Sequence, residues 1–188
     1  MRGGRNPVLV VVDVQNGFIT EYSKSVIPVI VNLVRKWQAA HGQVLFTRYF
    51  NYPGSPFERL IGWTNMVGGQ ETELISELTP YVRPHTPIID KYFYTLFTSE
   101  GAHLIDVHRW TDLYICGIDT DTCVLKTAVD AFERDLTPWI LKDACASHLI
   151  PEAHTAGLFI AGQFIGSKQI IHTTNLSDFL PRRDASSS

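Results

Sequence analysis

Cysteine is scarce in this chain: three residues in 188, an odd number, with none in a Cys-x-x-Cys pair. That argues against a disulfide framework and a zinc knuckle, and it predicts a reducing, cytoplasmic setting. Long apolar runs are also missing. Val8 to Val12 is broken at once by Asp13 and no small-residue cleavage site follows, so neither a signal peptide nor a membrane span is expected. There is no basic block with interleaved aromatics. Lys plus Arg number 16 against 19 Asp plus Glu, a formal net charge of −3, and Arg182 and Arg183 stand together only near the C-terminus. No nucleic-acid partner is expected from that distribution. What is present is a composition suited to a packed core, 45% hydrophobic and 19% charged, at a length that fits one domain. The domain is read over 1–181, with 182–188 as a polar tail predicted to be disordered.

Strand and helix patterns alternate along the chain. Val8 to Val12 is a continuous β-branched and apolar run, expected of a strand buried on both faces. Ser25 to His41 has helical spacing, with Ile27, Ile30, Val31 and Val34 on one face, Ser25 as N-cap and Gly42 as the stop. Further strands are predicted at Val44 to Thr47, Pro87 to Lys91, Leu113 to Gly117, Thr137 to Leu141 and Gln169 to His172. Helices are predicted at Ser99 to Arg109 (capped by Ser99), at Thr122 to Arg134 and at Pro151 to Phe164. In the second of these, Val124, Ala128, Ala131 and Phe132 are read as inward. Asn51 to Gly69, rich in Gly, Pro and aromatics, reads as a long structured loop of the functional kind. The alternation implies an α/β fold, a three-layer α/β/α sandwich around a six-stranded parallel sheet of Rossmann-like type. Sites in such sheets lie outside the C-terminal ends of the strands, where Asp13, Lys91 and the loop before Cys123 all fall.

Each of those residues has a plain reading beside a chemical one. Cys123 follows a polar strand-to-helix loop, so the unpaired N–H groups of a helix N-terminus would favour a thiolate and stabilise an oxyanion. A free cysteine is otherwise a small buried hydrophobe, the reading preferred for Cys116 and Cys145. Asp13 directly follows five apolar residues, a partly desolvated place that suits a proton acceptor; the alternative is an Asx-type cap. Lys91 ends a strand, where a solvated charge is the ordinary outcome.

Taken together, the residues carry a resemblance. Asp13-Val14-Gln15-Asn16-Gly17-Phe18, then Lys91 followed by Tyr92-Phe93-Tyr94, then Gly117-Ile118-Asp119-Thr120-Asp121-Thr122-Cys123-Val124 resemble the three ordered motifs of the isochorismatase-like cysteine hydrolases. The likeness runs from Val8 to about Phe179. It implies a catalytic set of Asp13, Lys91 and Cys123, in which Asp13 takes the thiol proton and Lys91 stabilises the negative charge. The thiolate then attacks an amide-type carbonyl of a small molecule. It also implies a cis peptide between Ile118 and Asp119, an oxyanion hole from the backbone N–H groups of Asp119 and Cys123, and a homo-oligomer.

Nicotinamidase-like members hold a metal with an Asp-x-His set after the second strand and a further His downstream. Here that stretch reads Thr47-Arg48-Tyr49-Phe50-Asn51-Tyr52-Pro53, and the seven histidines are dispersed. No metal and no cofactor are therefore expected. Phe18 and Trp63 are candidate pocket walls, with core packing as the alternative. Arg48 or Asn51 would be placed to meet a substrate carboxylate, against the reading of a solvated arginine. Retention of the cysteine favours C–N hydrolysis, with amides or ureides as substrates. Two rivals stand beside it: a vinyl-ether hydrolase using Asp13 as general acid, and a binding protein without turnover.

Overall fold

In the computed structural model, which describes residues 4–178, the apolar run from Val8 to Val12 is a central strand of the sheet. All five side chains are fully buried, as a strand covered on both faces requires. The order of elements is β1 (Pro7–Val12), α1 (Ile27–Ala39), β2 (Gln43–Tyr49), β3 (Ile88–Lys91), α2 (Ser99–His108), β4 (Asp112–Ile118), α3 (Leu125–Glu133), β5 (Thr137–Ala146), α4 (Pro151–Ala161) and β6 (Ile170–Ile171). The strands form one six-stranded sheet in the order β3-β2-β1-β4-β5-β6, and every pairing is parallel. Strand order reverses between β1 and β4. Right-handed crossovers on either side of that point put α1 on one face of the sheet and α3 with α4 on the other. The reversal opens a crevice at the C-terminal ends of β1 and β4, the place where α/β sheets bind ligands.

Local chemistry sets several of these elements, and in places differs from the sequence reading. Helix α1 is not capped by Ser25. That residue lies inside a short 3₁₀ turn, Lys24–Val26, which leads straight into the helix. Ser23 is the structural serine here, buried and donating from its hydroxyl to the Phe18 carbonyl at 2.7 Å. Helix α2 is capped one residue earlier than read, by Thr98, whose Oγ1 accepts from the Gly101 N–H at 3.0 Å. In α3 the buried stripe runs Val124, Thr127, Ala128, Ala131, and Phe132 lies outward, 53% exposed. Asp130 is buried in its place, 5% exposed. Strand β5 runs on beyond Leu141 to Ala146, carrying Cys145 into the sheet, where it is buried like Cys116. The polar tail 182–188 lies outside the described residues.

Gly117 shows what the crevice demands of the backbone. Its φ is +122°, and a Cβ there would lie 2.1 Å from the Val12 carbonyl oxygen. Only glycine lets β4 bulge this close to β1, and the register of β4 against β5 shifts between Ile115 and Gly117.

Candidate active site

Three strands end side by side, and each delivers one polar group inward. Asp13 immediately follows β1 with a left-handed φ of 49°, a conformation that Asp tolerates better than most residues. Its carboxylate accepts from the Thr47 hydroxyl of β2 at 2.6 Å and from the Lys91 ammonium at the end of β3 at 2.7 Å. Both members of the ion pair are fully buried. Lys91 shares its other two N–H donors among the Phe93 and Tyr94 carbonyls, at 2.9 and 3.1 Å, and Cys123 Sγ at 3.5 Å. The chain therefore brings Asp13, Lys91 and Cys123 into one cluster, and the solvated-charge reading of Lys91 is corrected. A buried ammonium needs a compensating anion and full hydrogen bonding, and this one has both.

Cys123 lies in a wide π-helical turn, Thr120–Val124, that runs into α3. The turn is fastened by the Thr122 and Val124 N–H groups donating to the Asp119 carbonyl at 3.3 and 3.0 Å. The peptide bond joining Ile118 to Asp119 is cis. Burial pushes the Cys123 thiol up, Lys91 opposes that, and nearby Asp13 adds to it; the net shift is upward. Desolvation therefore opposes the thiolate expected at the helix N-terminus. For Lys91 burial acts downward, but the Asp13 and Cys123 partners outweigh it and the ammonium is held above its ordinary value. Burial thus favours the neutral thiol at Cys123, beside the Asp13–Lys91 ion pair. Moving the thiol proton to Asp13 would exchange one anion beside Lys91 for another without changing the buried net charge.

The cluster opens into a cavity of about 340 Å³ walled mainly by aromatic rings. Phe18 stacks on Trp63 with centroids 5.9 Å apart, Trp63 on Tyr49 at 5.5 Å, and Phe57 meets Tyr94 edge-on at 5.0 Å. Phe18 and Trp63 are thus both pocket walls. Arg48 and Asn51 are not. Arg48 is engaged by Asp90 and Glu73 at 2.8 and 3.2 Å. Asn51 ties down the long loop, donating to the Trp63 carbonyl at 3.0 Å and accepting from Ser55 at 2.6 Å. Among the described residues, the lining contains neither lysine nor arginine.

Three features escaped the sequence reading. Tyr49 and Phe57 face the cavity, though neither was singled out: Tyr49 lies beyond the strand read at Val44 to Thr47, and Phe57 lies inside the long loop read as functional. His148, just beyond β5, meets Phe18 at a tilt with centroids 5.2 Å apart, and its Nδ1 lies 2.6 Å from the Asp119 carboxylate, which also accepts from the His148 N–H at 2.7 Å. The strand was read as ending at Leu141, so only its extension to Ala146 places His148 at a strand's C-terminal end. Burial raises Asp119 in spite of His148. Burial also acts downward on His148, but Asp119 more than offsets it and the imidazole is raised. Among the described residues no three His, Cys, Asp or Glu side chains gather as a metal site. Tyr49 and Phe57 line the space beyond β2, so the donor set of the metal-holding members is not assembled there.

Comparison with known proteins follows the same lines. The family model described as the isochorismatase domain matches residues 7–164. A nicotinamidase of Acinetobacter baylyi is 29% identical over 77% of this chain and 83% of its own length. A probable inactive nicotinamidase of Arabidopsis thaliana is 27% identical over 82% of this chain and 87% of its own. Among solved structures, a nicotinamidase of Bacillus subtilis superposes with a TM-score of 0.78 at 25% identity, covering 89% of this chain and 99% of that one.

Proposed function

The chain belongs to the isochorismatase-like hydrolase family, and we propose that it is a metal-independent cysteine amidohydrolase acting on a small uncharged amide or ureide. The observation that carries this reading is the buried cluster in which the Lys91 ammonium lies 2.7 Å from Asp13 and 3.5 Å from Cys123 Sγ. Asp13 takes the proton from the Cys123 thiol, leaving a thiolate beside Lys91, and the sulfur then attacks the carbonyl carbon so that the negative charge passes to the substrate oxygen. The backbone N–H groups of Asp119 and Cys123 donate to the developing oxyanion. Asp13 returns the proton to the leaving nitrogen as the C–N bond breaks, and a thioester remains on Cys123. Water then attacks the thioester, Asp13 accepts its proton, and collapse of the C–S bond releases a carboxylic acid. The thiol is reprotonated from Asp13.

Absence of lysine and arginine from the described lining, with Asp119 and Asp121 present there, favours uncharged substrates over carboxylates. The test is release of ammonia or amine from a panel of neutral carboxamides and ureides, with intact-mass detection of a quenched adduct on Cys123. Cys123→Ala is expected to abolish the adduct and reduce turnover at least about a thousandfold. Ether cleavage that survives Cys123→Ala would transfer the site to Asp13-driven acid catalysis. Binding without product from any compound would make it a non-catalytic member.

A further inference from the structure

His148 lies just beyond the end of β5, and the mechanism above gives it no task. Two of its groups engage a single acid. The Asp119 carboxylate accepts from the His148 N–H at 2.7 Å and lies 2.6 Å from its Nδ1. A carboxylate only accepts, so Nδ1 carries the hydrogen of that bond. The preceding residue acts on the next acid along, the Ser147 hydroxyl donating to Asp121. Successive residues from the end of β5 thus grip alternate residues of the segment that delivers Cys123. His148 is itself held in place. Its carbonyl accepts from the Thr20 hydroxyl at 2.7 Å, and its ring meets Phe18 with centroids 5.2 Å apart. The loop after β1, the turn after β4 and the end of β5 are therefore tied together at this one residue.

Asp119 is anchored from the other side as well. Its carbonyl accepts from the Thr122 and Val124 N–H groups at 3.3 and 3.0 Å. The carbonyl fixes the residue to the nucleophile's turn, and the carboxylate fixes it to β5. Between those anchors stands the Asp119 N–H, read above as a donor to the oxyanion. Such a donor stabilises most when it is already aimed, because no reorientation is then needed as charge develops. An acid is a poor choice here for packing alone. Asp119 is 8% exposed, and burial raises its carboxyl in spite of His148. A small apolar residue would avoid that desolvation cost.

We propose that His148 is a positioning residue for the oxyanion hole. Through the Asp119 carboxylate it holds the Asp119 backbone N–H toward the oxygen that turns negative when Cys123 adds to a carbonyl. The role rests on the amidohydrolase reading for the existence of that oxyanion. Its loss damages carbonyl addition and leaves the reactivity of the sulfur intact.

The experiment sets two probes of Cys123 side by side on the full-length protein. Benzaldehyde and isobutyraldehyde add reversibly: sulfur bonds to the carbonyl carbon, the thiol proton ends on the oxygen, and nothing leaves. That oxygen occupies the hole, so aldehyde affinity reports on it. Iodoacetamide alkylates the same sulfur with loss of iodide and a proton and forms no oxyanion, so its rate reports on the nucleophile alone. His148→Leu, which keeps bulk and loses the donor, is expected to weaken both aldehydes about tenfold or more while alkylation stays within about twofold of the parent. Asp119→Ala retains the backbone N–H and leaves no buried charge behind. It should show the same selective loss, and the double variant should be no worse than either single one. His148→Asn, whose amide N–H stands near the place of Nδ1, should recover most of the affinity. Thermal unfolding of each protein is recorded alongside. Aldehyde affinities equal in parent and variants would overturn the proposal and leave the amidohydrolase reading standing. So would affinity, alkylation rate and melting temperature all falling together, the pattern of a contact that only stabilises the fold. A parent that iodoacetamide labels at Cys123 but that binds neither aldehyde would remove the amidohydrolase reading, and the proposal with it. Asp119→Ala carries the comparison by itself should His148→Leu fold poorly.

Discussion

At the scale of single residues, the site is governed by what burial does to charge. Lys91 is fully buried, and its ammonium is held charged by Asp13 rather than by water. Lys91→Met keeps the length of the side chain but leaves the Asp13 carboxylate without its cation. Turnover is expected to fall about 10²–10³-fold, with a loss of stability from the uncompensated anion; steady-state rates and thermal unfolding check both. His148 supplies a pH dependence whose sign follows from its shift. Burial acts downward on the imidazole, but Asp119 outweighs it, and the folded-state value lies above the ordinary histidine value. The folded state therefore holds this proton more tightly than the unfolded chain does. The stabilisation is fully present below about pH 6.5 and is lost as pH rises through the folded value. His148→Gln should remove that decline, which melting temperatures recorded between about pH 6 and 9 will reveal. A steeper decline in the variant would contradict the pairing.

Among the elements, the wide turn bearing Cys123 is held from outside by α4. A Cβ on Gly157 would lie 2.7 Å from the Asp121 Cα and 2.8 Å from its nitrogen, so the helix and the turn meet backbone to backbone. Gly157→Ala must displace one of them. The expected result is a lower melting temperature together with a several-fold fall in turnover, because the turn that moves carries the nucleophile. Thr98 acts more locally. Thr98→Ala removes the hydroxyl that accepts from Gly101 and is expected to destabilise the protein by about 1 kcal/mol, read by denaturant unfolding. The helices also show where periodicity is informative. In α3, Ala128 and Ala131 are buried as their spacing implies, while Phe132, apolar by composition, is turned to the outside. A short apolar stripe defines a helix's period better than the edge of its face.

For the molecule as a whole, that outward phenylalanine belongs to a pattern. Phe159 is 68% exposed and Phe164 54%, while Gly157 and Ala161 of the same segment pack inward. Apolar side chains exposed together are the usual mark of an interface. Sedimentation is expected to give a mass above the 21.2 kDa of one chain, and Phe159→Asp should shift it toward that value; a monomer at all concentrations would remove the expectation. The alternation of strands and helices was legible in the sequence because side-chain period is a local property, short for a strand and nearly twice as long for a helix. The fully buried β1 was legible for the same reason, as was the candidacy of Asp13, Lys91 and Cys123 from their places at strand ends. What distance along the chain conceals is which groups meet. Lys91 stands 78 positions from Asp13 and 32 from Cys123, and His148 stands 29 from Asp119. The parallel sheet brings these strand ends to one edge, and the reversal of strand order sets the ends of β1 and β4 side by side. The sequence by itself therefore determined the elements and the reactive residue types. Tertiary structure decided that Lys91 is buried rather than solvated, that burial raises the Cys123 thiol, and that Tyr49 lines the cavity. Desolvation and hydrogen bonding depend on neighbours that only folding supplies.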